Sequence, residues 1–202
     1  MDIKLKQGDF RQLSQELPDS SVDLICTDPP WLMKFMPLYE DLGAVAKRVL
    51  KPGGFLAAYC GQGTMADALD RLRRNLDYYW IVTFQHGGKA TKREAEKVFT
   101  GGHVVLIFQK PPRTKPPGWI YDLTLGGKFR KSNYGWEQPE IESRKLIGML
   151  SRPGELVLDP FAGSGTTLLS ADSLNRHGIG FEIHQEYIDI YNKRNLRIDS
   201  IK

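Results

Sequence analysis

An apolar run that ends in a glycine-rich turn constrains this sequence more than any other feature. Residues 156–167 read LVLDPFAGSGTT, in which Gly163 and Gly165 precede a helical pattern at about 166–175. Glycine lets a ligand approach the backbone where a Cβ would obstruct it. The first amides of a helix attract carboxylate or phosphate groups. The segment therefore predicts a ligand-binding turn between a strand and a helix of an α/β domain.

Three kinds of ligand compete for such a turn. A triphosphate-binding loop has lysine where Thr166 stands, and a dinucleotide-binding turn has a third glycine where Leu168 stands. S-adenosylmethionine carries a sulfonium and an amino group as well as a carboxylate, and these cations suit the acidic Asp159 at the strand end. The next predicted strand ends at Glu182, where a carboxylate can accept both ribose hydroxyls. The two acids favour S-adenosylmethionine over a pyrophosphate.

A second strand end carries the chemical groups of a different site. The apolar run VDLIC at 22–26 is followed closely by Asp28, Pro29, Pro30 and Trp31, and the two prolines make the turn rigid. An amino nitrogen conjugated to a heteroaromatic ring is a poor nucleophile. The Asp28 carboxylate and the Pro29 carbonyl can accept its two N–H groups and stabilise the positive charge of methyl transfer. Trp31 offers a face for stacking a base, at about 1–3 kcal/mol. A merely structural Pro-Pro turn is the alternative.

Short apolar runs alternate with helical patterns along the rest of the chain, which predicts βα units and a largely parallel sheet. We expect strands at 3–6, 22–26, 55–60, 78–84, 104–108, 156–158 and 179–183. Helices are expected at 38–49, 64–75, 141–150, 166–175 and 185–197, with 51–54 as a helix stop and Thr64 as a cap. The 202 residues suit a single domain, 1–202, with a short basic insertion at about 111–137.

Positive charge is concentrated in and beside this insertion. Residues 110–131 hold six basic side chains and one acidic one, interleaved with aromatic residues, within a chain of net charge +4. Such a mixture favours a nucleic-acid surface over a solvated loop. The predicted nucleic-acid contacts are Arg113, Lys115, Lys128, Arg130 and Lys131, with a second group at Lys89, Lys92, Arg93 and Lys97 that would close over a base. Both groups flank strands whose ends are expected to face the same side as Trp31.

The sequence lacks the patterns of disulfide-bonded, metal-binding, membrane-spanning and secreted proteins. Cys26 and Cys60 lie in apolar runs and are interpreted as buried free thiols, so that neither a disulfide nor a metal ion is predicted. No run approaches the roughly 20 apolar residues that span a bilayer. The first residues lack the apolar core of a signal peptide, and a cytoplasmic protein is expected.

These motifs resemble the β-class amino-methyltransferases of DNA, in which the catalytic motif precedes the cofactor motif. The similarity is carried by GDFRQLSQELPDSSVDLICTDPPW, RPGELVLDPFAGSGTT and GIGFEIHQEYIDIYNKR, and it covers nearly the whole chain. The resemblance implies a single-domain Rossmann-like α/β fold with a circularly permuted motif order. Its mostly parallel sheet has seven strands in the order 3-2-1-4-5-7-6, with strand 7 antiparallel. Residues 3–6 then form the third strand, beside the C-terminal half.

The same resemblance implies the reaction. It predicts S-adenosylmethionine-dependent methylation of an amino group on a base flipped out of duplex DNA. Adenine N6 is favoured because the cytosine-N4 relatives more often have serine where Asp28 stands. The catalytic residues are then Asp28, Pro29, Pro30 and Trp31. The cofactor-binding residues are Asp9, Phe10, Asp28, Asp159, Phe161, Gly163, Ser164, Gly165, Thr166, Glu182 and Ile183.

Three departures from the family pattern keep alternatives open. Trp31 stands where tyrosine is usual, and Asp-Pro-Pro-Trp also occurs in RNA adenine-N6 enzymes, although those lack the DPFAGSGTT loop. Glu137-Gln138-Pro139 stands where Gln-Lys-Pro is common. The basic insertion is short, so we expect a short or loosely read target unless two subunits share it as a homodimer. A cytosine-N4 enzyme, an RNA methyltransferase and a catalytically inactive nucleic-acid-binding subunit are the alternatives.

Overall fold

The structure, a computed structural model, describes residues 1–87, 90–127, 130–132, 135–137 and 139–199. For 130–132, 135–137 and 196–199 it describes the backbone alone. Within these ranges, helices long and apolar enough to cross a membrane are absent.

One eight-stranded sheet forms the centre of the molecule. Its strands, in spatial order, are β1 (Ile3–Gln7), β12 (His177–Glu182), β11 (Leu156–Asp159), β2 (Val22–Thr27), β3 (Leu50–Cys60), β7 (Gly102–Gln109), β4 (Asp77–Gln85) and β8 (Leu123–Leu125). The first five are parallel, whereas β7 is antiparallel to both β3 and β4. The predicted strand order is confirmed, and so is the pairing of the N-terminal strand with β12. The expected number of seven is wrong, because β8 of the basic insertion adds an eighth strand parallel to β4.

Helices cover both faces of the sheet. They are α1 (Phe10–Leu13), α2 (Pro37–Val49), α3 (Met65–Leu72), α4 (Glu140–Leu150), α5 (Thr166–Ser173) and α6 (Gln185–Asp199). Successive side chains of a strand point to opposite faces. Along β2, Ile25 therefore packs in one core cluster with Leu42 of α2, whereas Leu24 and Cys26 pack in a second cluster with Leu146 of α4. Both cysteines are buried and free, as predicted.

Local expectations failed where short polar segments form strands. The predicted helix stop is confirmed, since α2 ends at Val49, but residues 51–54 belong to β3, which was expected to begin only at Phe55. The pairing of β3 with β2 shifts register between Val22 and Leu24. The polar segment after β4 forms the hairpin β5 (Thr91–Arg93) and β6 (Val98–Thr100), and the insertion contains the hairpin β9 (Arg130–Ser132) and β10 (Gly135–Glu137). These strands have only three residues each, too few for a periodic pattern.

The directions of the strands decide which loops meet. The parallel strands β11, β12, β2 and β3 end at one edge of the sheet, here called the carboxyl edge. Because β7 runs against β3, with Cys60 opposite Val104, the segment between β4 and β7 also lies at the carboxyl edge. Residues that follow Gln109 leave at the opposite edge, since Gln109 pairs with Phe55 and Asp77.

Candidate active site

A cavity of about 1000 Å³ opens at the carboxyl edge, where β11, β12 and β2 end. Ligand sites of open α/β sheets lie at this edge. The cavity brings together both predicted motifs: all catalytic candidates line it, and so do all cofactor candidates except Gly165. The lining residues from these two sets are Asp9, Phe10, Asp28, Pro29, Pro30, Trp31, Asp159, Phe161, Gly163, Ser164, Thr166, Glu182 and Ile183.

The turn after β2 is held by contacts of Trp31. The indole N–H donates a hydrogen bond to Asp28 Oδ1 at 2.7 Å, and the ring lies edge-on to His103 with centroids 4.9 Å apart. The Thr64 hydroxyl donates to the carbonyl of Trp31 at 2.9 Å. Thr64 was expected to cap α3, but its side chain makes no cap hydrogen bond to that helix. These contacts fix the indole ring against the carboxylate of Asp28.

Asp159 ends β11 and is almost fully buried. Its Oδ1 accepts the Thr27 hydroxyl at 2.6 Å and the Phe161 amide at 3.1 Å. Burial raises the pKa of this carboxyl to about 6, against the lowering effect of the hydrogen bonds from Thr27, Thr167 and Phe161. A carboxyl group with such a pKa changes its charge near neutral pH, so a cation bound beside it would favour its ionised form.

Glu182 ends β12 and connects the two loops of the βαβ unit. Oε2 accepts the Gly163 amide at 2.9 Å, and Oε1 accepts the His184 amide at 2.8 Å. The carbonyl of Glu182 accepts the Gly8 amide at 2.9 Å, which joins the start of the chain to this site. The carboxylate is thereby held at the cavity wall, next to the glycine-rich turn.

The two glycines of the turn have different roles. Gly163, with φ +51°, borders the cavity, and a Cβ there would meet no atom of the described residues within 4 Å. Gly165 precedes α5 with φ +78°, and a Cβ there would lie 2.2 Å from Cδ2 of Tyr191. Gly165 therefore permits α6 to pack against the turn, and its predicted contact with the cofactor is not supported by its position. Arg194 of α6 also donates to the Ser164 carbonyl and hydroxyl.

Asp9 and Phe10 close the cavity on the side of α1. The Asp9 carboxylate accepts the Arg11 amide at 2.9 Å and forms an ion pair with the Arg11 side chain. The hydrogen bond from the Arg11 side chain lowers the pKa of Asp9. Phe10 packs against Phe161, with ring centroids 4.8 Å apart. Arg11 lines the cavity and was missed by the sequence analysis, since it forms part of no motif.

A second group of polar side chains lies behind Trp31 and was also missed. His86 Nε2 is 2.7 Å from Glu142 Oε1, and Tyr59 donates its hydroxyl to Glu142 Oε2 at 3.2 Å. Glu142 has no exposed surface, and burial raises its pKa against the hydrogen bond from His86. The glutamate interrupts the apolar face of α4, and only this buried position on a helical pattern could have drawn attention to it in the sequence.

The smaller group of predicted nucleic-acid contacts, which precedes the insertion, lies partly at the cavity. Arg93 of the β5–β6 hairpin lines it, while the neighbouring Lys92 is exposed and forms an ion pair with Glu94 at 2.7 Å. Lys97 occupies the exposed turn of the same hairpin. Lys89 lies outside the described residues.

The basic insertion is divided between the two edges of the sheet. The expectation that all of it faces the same side as Trp31 is wrong for Arg113 and Lys115, which follow β7 at the edge opposite the cavity. There the Arg113 guanidinium lies over the ring of Tyr79 at 4.4 Å. Arg130 and Lys131 belong to β9, but their side chains are outside the description, as is all of Lys128.

Solved structures of known proteins share this fold. TTHA0409 from Thermus thermophilus, solved in complex with S-adenosyl-L-methionine, superposes with a TM-score of 0.78 at 22% identity, covering 98% of this chain and 95% of that chain. The cytosine-N4-specific PvuII DNA methyltransferase superposes with a TM-score of 0.78 at 19% identity, covering 96% of this chain and 92% of its own. At these identities, the likeness shows the fold.

The sequence comparisons show the family. Type II methyltransferase M.HpaI of Haemophilus parainfluenzae is 26% identical over 96% of this chain and 74% of its own length. The family model described as DNA methylase matches residues 85–193, just over half of the chain, including the glycine-rich turn and Glu182. The chain therefore belongs to the N6/N4 DNA methylase family.

Proposed function

We propose that this DNA methylase transfers a methyl group from S-adenosylmethionine to an exocyclic amino group of a DNA base, with adenine N6 as the target. The observation that carries the proposal is a single cavity with two sets of side chains. Asp159 and Glu182 line it at the ends of β11 and β12, and Asp28 and Trp31 line it at the end of β2. The donor and the acceptor of a methyl group must meet in one space, and this cavity is large enough for both.

The glycine-rich turn fits S-adenosylmethionine. The backbone at Gly163 borders the cavity without obstruction. The Glu182 carboxylate is suited to the ribose hydroxyls, and the Asp159 carboxyl to a cationic group of the cofactor. When bound, S-adenosylmethionine supplies a methyl group made electrophilic by its sulfonium. The family and the complex of TTHA0409 with this compound support it as the cofactor.

The chemistry of the chain itself is centred on Asp28. Its carboxylate would accept one N–H of the amino group and the Pro29 carbonyl the other, which favours a pyramidal nitrogen and stabilises its growing positive charge. The indole N–H of Trp31 already donates to Asp28 Oδ1. The carboxylate is therefore fixed before a base arrives, and acceptors that need no reorganisation are the most effective.

The choice of adenine depends on the side chain at position 28. PvuII methyltransferase is cytosine-N4-specific and has the same fold, so the fold does not discriminate between the two bases. Asp28 favours adenine through the family resemblance, in which serine at this position is commoner among cytosine enzymes. Cytosine N4 is the alternative target of the same acceptors.

Duplex DNA is the proposed substrate, with the target base flipped into the cavity. Extruding a base costs a few kcal/mol, and stacking on Trp31 would offset about 1–3 kcal/mol of it. Arg93 at the cavity wall and the exposed Lys92 and Lys97 of the same hairpin would meet the phosphates. Action in the cytoplasm and assembly as a homodimer stay predictions.

Mass spectrometry of nucleosides tests the proposal. Unmethylated duplex DNA is incubated with the protein and S-adenosylmethionine and then digested, and N6-methyladenine is the expected product. Asp28→Asn preserves the shape of the side chain but removes its charge and one acceptor, so its rate should fall by about 100- to 1000-fold.

Each other outcome contradicts a defined part of the proposal. N4-methylcytosine would refute adenine as the target but leave the machinery intact. Faster methylation of single-stranded RNA would refute duplex DNA as the substrate. Absence of both products, together with absence of cofactor binding in calorimetry, would identify a nucleic-acid-binding subunit without catalysis. Unchanged turnover by Asp28→Asn would refute the role of that carboxylate.

A further inference from the structure

Three side chains of metal-binding type converge behind the wall of the cavity. His86 follows β4, His103 lies near the start of β7, and Glu142 belongs to the first turn of α4. Their donor atoms all lie within 4.8 Å of one another. The Glu142 side chain has no exposed surface, and each histidine side chain is 14% exposed. The three groups thus come from separate elements to one nearly buried point.

The geometry resembles a set of ligands more than a simple ion pair. Each imidazole faces a different oxygen of one carboxylate, with His86 Nε2 2.7 Å from Oε1 and His103 Nδ1 3.8 Å from Oε2. The two rings are perpendicular, with centroids 4.4 Å apart. Ligand atoms of a tetrahedral ion with bonds of about 2.0–2.1 Å lie roughly 3.3 Å from each other. The donor atoms here lie within 4.8 Å of one another, so the widest separation would have to close by about 1.5 Å to place all three atoms on one ion.

The protein around the three groups is closely fitted to them. A Cβ at Gly126 would lie 2.4 Å from Cδ2 of His86 and 2.6 Å from Oε1 of Glu142. The amide of Gly127 donates to Oε1 at 3.3 Å, and the Tyr59 hydroxyl donates to Oε2. Hydrogen bonds to a ligating carboxylate orient it toward a metal ion. A buried carboxylate also requires a compensating cation or an equivalent set of donors.

We propose that His86, His103 and Glu142 bind one divalent transition-metal ion, for which Zn²⁺ is the best match. Two imidazole nitrogens and one carboxylate oxygen suit zinc, whereas Mg²⁺ and Ca²⁺ prefer oxygen ligands alone. Three protein ligands leave a fourth position for water. No metal ion was predicted from the sequence, in which the three residues are far apart and belong to no ligand motif.

The ion would hold elements together rather than take part in methyl transfer, since none of its three ligands lines the cavity. It would join β4, β7 and α4 at the carboxyl edge, and His103 would carry its effect to Trp31, against which its ring packs edge-on. The importance of the ion for Trp31 rests on the proposed function. Binding of the ion to the three side chains does not depend on that function. A measurement of metal content therefore tests the site even if the protein proves to lack methyl-transfer activity.

Metal analysis of the full chain, produced without a polyhistidine tag, tests the site. The protein is stripped with EDTA, loaded with Zn²⁺, separated from free metal and measured by plasma mass spectrometry. We expect about one zinc per chain in the wild type. Glu142→Gln and His103→Gln should lose nearly all of it. His177→Gln, which changes a histidine at the far end of β12, should retain it.

Two further measurements keep the test decisive if a ligand variant fails to fold. Zn²⁺ should raise the Tm of stripped wild-type protein, because a ligand that binds only the folded state stabilises it. Co²⁺ in the wild type should give the visible absorption of a four-coordinate ion, and Zn²⁺ should abolish it. Wild-type protein that retains neither ion and shows no change in Tm would overturn the proposal and leave a hydrogen-bonded His86–Glu142 pair with His103 beside it. Equal loss in His177→Gln would also contradict it.

Discussion

At Trp31, the indole ring makes a hydrogen bond that the sequence did not predict. Stacking of a base was expected from its aromatic face, but the ring N–H also donates to Asp28 Oδ1. Phenylalanine has a similar face and no donor, and the hydroxyl of tyrosine lies at a different position on the ring. Trp31 therefore both lines the cavity and fixes the Asp28 carboxylate that the proposed reaction would use.

Replacement of Trp31 by phenylalanine should separate these two roles. Trp31→Phe keeps an aromatic face, but Asp28 loses a donor, and a hydrogen bond to a charged group contributes about 1.5–3 kcal/mol. We expect the single-turnover rate of methyl transfer to fall on the order of 10- to 100-fold, with little change in cofactor affinity. Trp119→Phe, at a residue 87% exposed and outside the cavity lining, is the matched control. Equal rates for both variants would show that the bond does not contribute to catalysis.

Asp159 should make cofactor binding depend on pH. Burial raises the pKa of its carboxyl to about 6, so that the group is largely neutral below that pH and cannot attract a cationic ligand. Affinity for S-adenosylmethionine, measured by calorimetry, should therefore rise as pH increases through about 6 and then level off. Asp159→Asn should bind weakly with a flatter profile, whereas the exposed Asp70→Asn should follow the wild type.

The effect of the same group on stability has the opposite sign. Its pKa in the folded protein lies above the ordinary value of 3.8, so the folded state binds the proton more tightly. Its contribution to the free energy of unfolding is therefore complete below about pH 4 and is lost as pH rises through about 6. Denaturant unfolding should show this loss in the apo wild type and not in Asp159→Asn. If the affinity of the wild type for S-adenosylmethionine does not change as pH rises through about 6, the proposed contact of Asp159 with the cofactor is contradicted.

The two glycines show how far residue types can be interpreted without coordinates. The sequence predicted a turn that requires Gly163 and Gly165, and both adopt positive φ. It assigned both to the ligand. Only the structure shows that Gly165 faces Tyr191, a residue of α6 that is remote in sequence. The local sequence pattern shows that glycine is required at a position. Which neighbouring group would clash with a Cβ there is decided by tertiary packing.

At the scale of elements, the β11–turn–α5 unit should depend on this contact. Gly165→Ala would place a Cβ in a left-handed backbone conformation, at a cost of about 1–2 kcal/mol, and against the ring of Tyr191. The free energy of unfolding should fall by at least that amount, with a Tm lower by several degrees. In Gly148→Ala, the added Cβ in α4 meets no atom within 4 Å in the part of the chain that the structure describes, so the Tm should be unchanged or slightly raised. Equal Tm values for the two variants would show that the turn adapts.

The elements themselves were predictable where burial is continuous. Long apolar strands such as β7 and amphipathic helices such as α2 appeared in the sequence with errors of a few residues at their ends. Strands β5, β6 and β8 were not predicted, since they are short and largely exposed. Their formation depends on neighbouring strands and hairpin partners, which a local pattern does not contain.

For the whole molecule, one antiparallel strand determines where the positive charge lies. Family resemblance correctly gave the strand order, but the sequence analysis treated the basic insertion as one surface. Because β7 returns the chain to the opposite edge, Arg113 and Lys115 lie far from the cavity, while the β5–β6 hairpin lies beside it. The two basic groups, which were expected to form one DNA-binding face, are thereby divided between opposite edges of the sheet.

Two double variants with the same loss of charge distinguish the faces. Lys92→Gln/Arg93→Gln alters the hairpin at the cavity, and Arg113→Gln/Lys115→Gln alters the opposite edge. Each phosphate contact contributes about 0.9 to the slope of log affinity against log salt on duplex DNA. The first variant should therefore lower the slope by up to about two, and the second should leave it unchanged. The ion pair of Lys92 with Glu94 is exposed and weak, so it should not prevent this contact.

Fluorescence anisotropy of a labelled duplex, titrated at several salt concentrations, measures these slopes. A smaller slope of log affinity against log salt only in Lys92→Gln/Arg93→Gln would place DNA over the cavity, where a flipped base can reach Trp31. Loss only in Arg113→Gln/Lys115→Gln would instead place DNA at the opposite edge, which is incompatible with entry of a base into this cavity. Equal losses in both would require a duplex that contacts two edges of one sheet, and only a second subunit could reconcile that result with base flipping.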